Sequence, residues 1–118
     1  MNDKSKADLK PLRAEVFSYN DLVAYQTGSI VSRTIIDAPA GTVTVFAFDA
    51  GQRLSEHTAP FDALIEIVDG TGMVTIDGKD HPVPAGSQII MPANHPHGVR
   101  AKGRFKMVLI MIRSKKES

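Results

Sequence analysis

Apolar and polar residues alternate in short runs along most of this chain, the period-two signature of strands covered on one face. In the run 61–68, Phe61, Ala63, Ile65 and Ile67 share one face, while Asp62, Leu64, Glu66 and Val68 share the other. The first set is wholly apolar and is expected to line the interior. Comparable runs predict strands at about 28–36, 42–48, 61–68, 72–77, 80–84, 87–92, 96–101 and 104–112. Turn-forming residues lie between them: Ala38-Pro39-Ala40-Gly41, Asp49-Ala50-Gly51, Asp69-Gly70, Pro84-Ala85-Gly86, Pro92-Ala93-Asn94 and Lys102-Gly103. Asp77-Gly78, between two alternating runs, is a two-residue hairpin signal. The last run carries Phe105, Met107, Leu109 and Met111 on one face and, after Lys106, Val108, Ile110 and Ile112 on the other. One face should meet the interior, the other a second sheet or subunit. Only 19–25 reads as helix, one or two turns, with Ser18 as cap, Asp21 reaching back to it, and an end near Gly28.

Short strands at this spacing predict an all-β sandwich or barrel. No helical pattern separates them, which argues against a parallel α/β sheet. A length of 118 residues fits one domain, and 42% hydrophobic with 23% charged residues is an ordinary balance for a globular protein. The expected layout is an arm with a short helix at 1–27, a barrel at 28–112 and a flexible tail at 113–118. The formal net charge of +1 makes nucleic acid a poor partner. No run approaches the roughly 20 apolar residues that cross a bilayer. The first thirteen residues lack a secretory apolar core. The cytoplasm is therefore the default location, with no membrane partner expected.

The chain contains no cysteine, which excludes disulfides, thiolate zinc sites, iron–sulfur clusters and cysteine nucleophiles. Any tight transition-metal site must then use imidazole with carboxylate or water. Of the histidines, His57 directly precedes an apolar strand, and His97 follows the turn 92–96. His95, two residues before His97, would share its face in an extended stretch, giving a trio of His57, His95 and His97. His81 reads as a surface residue of a hairpin.

The spacing around these residues resembles the cupin superfamily of small double-stranded β-helix proteins. Gly51, five residues, His57 and, thirteen positions on, Gly70 follow its first motif; Gly86, five residues, Pro92 and then His97 follow its second. The resemblance covers about 28–112 and implies a jelly-roll-type barrel. In its metal-binding members, two His and a Glu of the first motif and a His of the second are ligands. Here Ala59 stands at the second His, Ala63 at the Glu, Asn94 at the second-motif Gly and Ala101 at its closing Asn. Asn94 suits a left-handed turn position. The resemblance implies a divalent first-row metal (Zn, Ni, Mn or Fe) on His57 and His97, with open positions left by the alanines. Members with full motifs include dioxygenases, isomerases and decarboxylases.

Two other functions fit the same residues. A metal-free binding or sensing module would hold a small-molecule ligand in an apolar pocket lined by Phe46, Phe48, Phe61, Ala63, Ile65, Met107 and Met111, with the two imidazoles as polar contacts. Met91, Met107 and Met111 invite a ligand reading, although core filling is the simpler one. A metal-independent isomerase or epimerase would use His57 or His97 as base, with Arg33 or Arg53 as candidate cations. Ser55, His57 and Asp62 form a catalytic triad only on paper. Gln88, Ser32, Thr44 and Thr75 are candidate interior polar contacts. As the resemblance implies, a homodimer is the expected assembly, and the second apolar face of 106–112 fits it.

Overall fold

The strands of the computed structural model, which describes residues 11–113, run β1 (Ile30–Ala38), β2 (Gly41–Phe48), β3 (Arg53–His57), β4 (Ala63–Asp69), β5 (Thr71–Ile76), β6 (Lys79–Pro84), β7 (Gln88–Met91), β8 (His97–Arg100) and β9 (Phe105–Ile112). All pairings among them are antiparallel. They form a five-stranded sheet in the order β1-β2-β9-β4-β7 and a four-stranded sheet in the order β3-β8-β5-β6. The all-β, jelly-roll-type architecture expected from the sequence is the one observed. Among the described residues no helix is long and apolar enough to cross a membrane.

The inner faces of the two sheets meet in one apolar core. Ile65, Ile67, Phe48, Phe105 and Met107 from the larger sheet are fully buried against Val74, Val83 and Val99 of the smaller. Phe48 and Phe105 stack with centroids 4.5 Å apart, a geometry that adds to their burial. The alternation in β4 puts Ala63, Ile65 and Ile67 inside, as its pattern predicts. The hairpin at Asp77-Gly78 has φ of 52° and 78°, the left-handed pair of a tight β-turn. Asn94 also takes positive φ, 66°. Gly70 combines φ of 72° with a close approach to the Arg104 carbonyl, which leaves no room for a Cβ.

Three sequence expectations need correction. The helix at 19–25 is only a 3-10 turn, Tyr19–Asp21, and the Ser18 side chain makes no capping bond. A helix this short gains little from its own hydrogen bonds. The segment instead lies across the outer face of the larger sheet, where Val23 packs with Val45, Ala47 and Val108. Asn20 Nδ2 donates to the Val68 carbonyl, Lys106 Nζ donates to the Asn20 carbonyl, and the Tyr25 hydroxyl donates to Asp69. Second, β3 is a strand that its composition does not suggest. Third, Arg113, placed in the flexible tail, donates from its backbone to Ala40 and from its side chain to Ala38; the rest of that tail lies outside the described residues.

Candidate functional site

His57 and His97 face each other across the β3–β8 pair. A β-bulge brings them together. Leu54 pairs with Val99 and His57 with His97, so three steps on β3 match two on β8. With strict alternation, Leu54 and His57 would point to opposite faces; the extra residue returns both to the inside. Outside the site, Asn94 N donates to the Ala59 carbonyl at 2.7 Å, and Ala93 N donates to Asp62 Oδ1 at 2.8 Å. These bonds tie the loop after β3 to the turn before β8.

The two imidazole rings lie 4.7 Å apart, edge to face. His57 Nδ1 is 3.2 Å from the Ser55 carbonyl, and His97 Nδ1 is 3.1 Å from the His95 carbonyl. A carbonyl only accepts, so each Nδ1 carries the proton and donates. A neutral ring protonated at Nδ1 has a bare lone pair at Nε2. His97 is buried. Burial first, and the neighbouring His57 second, hold its pKa below the usual imidazole value, against a smaller opposing effect of the His95 carbonyl.

Both rings line a cavity of about 40 Å³ with Leu54, Ala59, Ala63, Met91, Leu109 and Met111, among others. That volume holds about one water molecule, far below the few hundred Å³ of an ordinary organic-ligand pocket. The two alanines lie in the cavity wall, as do Met107 and Ile65.

Several predicted site residues lie elsewhere. Phe46, Phe48 and Phe61 are not in the wall of this cavity. Phe46 and Phe48 share the inward side of β2, but alternation fixes side and not depth, and Phe48 is engaged with Phe105. Phe61 precedes β4, which begins at Ala63 and not at 61. His95 does not join the pair; its Nδ1 meets Asp77 Oδ2 at 2.8 Å, and both side chains are about half exposed. Pro96 separates it from β8, so the shared-face expectation fails. The Ser55–His57–Asp62 triad does not form, because His57 meets the Ser55 carbonyl and Asp62 the Ala93 amide. Gln88 and Ser32 are exposed, and Thr44 bonds Thr34. Thr75 and Arg53 line a polar groove of about 440 Å³ with Glu56, Asp80 and Arg100. There Arg100 grips Asp80 through two bonds and Thr75 donates a third, which holds the Asp80 carboxyl well below the usual range. Sequence reasoning missed Leu54, Leu109 and Val99 as wall residues; the β-bulge in β3 hides the first.

A divalent ion does not fit this donor set. Among the described residues no group of three or more His, Cys, Asp or Glu converges, and three or more ligands are usual even at catalytic centres. No acidic side chain lines the cavity to offset a double charge.

The family described as Cupin domain matches residues 44–113. Among solved structures, a conserved protein of unknown function from Streptococcus pyogenes is 32% identical, with a TM-score of 0.83 over 87% of this chain and 90% of that one. A cupin 2 conserved barrel domain protein from Leptotrichia buccalis is 39% identical, with a TM-score of 0.77 over 80% of this chain and 46% of that one. A predicted oxalate decarboxylase from Thermotoga maritima, 16% identical with a TM-score of 0.69 over 74% of this chain and 83% of that one, shares the fold. A search of curated protein sequences returns no match.

Proposed function

The chain belongs to the cupin family, and on that premise we propose that it is a binding protein for one small guest, held inside the barrel by His57 and His97. The observation that carries this reading is the shared tautomer. Both Nδ1 protons are spent on backbone carbonyls, so two Nε2 lone pairs serve an otherwise apolar cavity. The matching guest is an electron-pair acceptor: a cation, or a small head group that donates hydrogen bonds. Catalysis by a histidine base is less favoured, because no acidic or cationic side chain lines the cavity to act as its partner. A divalent metal is less favoured for the want of donors described above.

The test is a titration of isotope-labelled, untagged and chelator-treated protein with ammonium and small amines, and with zinc, nickel, manganese and cuprous ions. The His57 and His97 ring signals should move with at least one of these and stay still in the others. Rings that ignore every probe would reject the reading.

We propose in addition that two copies associate through the outer face of the larger sheet. Strand register aligns Ile36, Val43, Ile110, Leu64 and Ile90 in one row across all five strands. The arm segment covers Val45, Ala47 and Val108 but leaves Ile36, Ile90 and Ile112 at 56%, 60% and 65% exposure. Such a patch favours a self-complementary two-fold contact.

A further inference from the structure

The outer face of the smaller sheet holds a groove of about 440 Å³, within the size range of small-ligand sites. Gly98 of β8 lies at its floor. Because of the bulge in β3, Ser55 and Glu56 both stand opposite this one glycine, and the same row continues through Thr75 to Asp80. A Cβ at Gly98 would lie 3.2 Å from the Leu54 carbonyl oxygen and 3.3 Å from the Glu56 Cγ, so the hollow depends on the missing side chain. Around it stand Arg53, Glu56, Thr75, Asp80 and Arg100.

Arg53 and Arg100 are direct cross-strand partners, a juxtaposition of like charges that is unfavourable unless something offsets it. Asp80 offsets one of them. Arg100 Nη1 donates to Asp80 Oδ1 at 3.1 Å and to Thr75 Oγ1 at 3.3 Å, and its Nη2 donates to Asp80 Oδ2 at 2.8 Å. This grip fixes the guanidinium plane. It leaves the side edge of the fork, Nε–H and the second Nη2–H, without a partner among the described residues. Nothing offsets Arg53: neither its guanidinium nor the Glu56 carboxylate has an ion-pair or hydrogen-bond partner among the described residues. With Arg100 and Asp80 cancelling, the groove keeps one unspent cation and one unspent carboxylate.

We infer that this groove is a binding site, separate from the histidine cavity, for a small ammonium carboxylate of the amino-acid type. The ligand's carboxylate lies between Arg53 and the free edge of Arg100, where planar bidentate pairing is available. Its ammonium group meets Glu56. A plain anion would also meet the Glu56 and Asp80 carboxylates, and a plain cation the two guanidiniums, so each gains less than a molecule carrying both charges. The groove lies on the opposite side of β3 and β8 from His57 and His97, and this inference does not rest on the role proposed for them.

The experiment is a titration of isotope-labelled protein at low ionic strength, because salt screens exposed charges. The probes are glycine, β-alanine and γ-aminobutyrate, with acetate, methylammonium and inorganic phosphate in parallel. At least one amino acid should shift the amide signals of Gly98 and Arg100 and the Nε signal of Arg53 to saturation. It should bind more tightly than acetate, methylammonium or phosphate by about fivefold, the upper scale of an exposed ion pair. Arg53→Gln should weaken it by a similar factor. Glu56→Gln should weaken it too while leaving acetate as tight or tighter, a split that a merely structural role would not produce. Both residues are exposed, and amide signals unchanged outside the groove show that the variants are folded. The inference is overturned if no amino acid saturates, if acetate, methylammonium or phosphate binds as tightly, or if either substitution leaves the amino acid's affinity unchanged.

Discussion

His97 is the most constrained polar residue of the barrel. It is 4% exposed, packed edge-on against a second imidazole, and its pKa is held down by burial and by His57. The consequence for stability has a definite sign. As pH falls below about 6.5, the unfolded chain takes up a proton at this residue before the folded one does, so acid favours unfolding. The stabilisation is complete above that value and declines as pH drops toward the lowered native pKa. Thermal melts between pH 7.5 and 5 should show a fall in the wild type that is shallower in His97→Gln. Parallel curves would show that His97 has no share in it. The sequence made this residue legible through spacing, since His57 and His97 each stand at a fixed distance from a turn glycine or proline. The aromatic lining was not legible. Phe46 and Phe48 have the right face but not the right height in the barrel, and height is set by which strands pair and in what register.

The decisive element is β3. Its sequence, Arg53-Leu54-Ser55-Glu56-His57, alternates poorly and is mostly charged or polar, so period-two reasoning passes over it. The bulge between Leu54 and His57 breaks the alternation and, in the same stroke, turns His57 inward. Deleting Glu56 should leave Leu54 and His57 two positions apart in a regular strand, so that His57 stays on the inner face opposite His97 and the ring-to-ring nuclear Overhauser effect is kept. Inserting one residue between Leu54 and His57 of that variant should abolish the effect only if the strand stays regular. Loss of that effect in a folded deletion variant would contradict the register in which the extra residue, and nothing else, separates Leu54 from His57 by an odd step. The other strands were readable because their covering is one-sided: β4 alternates cleanly, and the Asp77-Gly78 turn announces the β5–β6 hairpin. The arm at 19–25 misled for the opposite reason. Its apolar residues suit a helix face, yet they are spent on the flat surface of a sheet, where Val23 is buried.

At the scale of the whole molecule, the two sheets use their inner faces for the core and the cavity, and the larger sheet keeps a second apolar face outside. The arm covers part of that face and leaves Ile36 and Ile90, the two ends of the row, and Ile112 exposed. The last strand, apolar on both sides, already pointed to this in the sequence; what covers each part of it depends on the path of the arm, which no local pattern encodes. Light scattering should give a dimer mass for the wild type, and Ile90→Lys combined with Ile112→Lys should give a monomer with an unchanged circular dichroism spectrum, since buried lysines without partners are costly at an interface. A wild-type monomer would remove the association.

Buried His97 and exposed His57 both commit an Nδ1 proton to a carbonyl, and the binding role stands or falls with that arrangement. Long-range proton–nitrogen correlation spectra of the labelled, metal-free protein at pH 8 read it directly. They should show His57 and His97 both protonated at Nδ1 and bare at Nε2, with Overhauser contact between the two rings. A proton on Nε2 of either ring, or two rings without mutual contact, would contradict it.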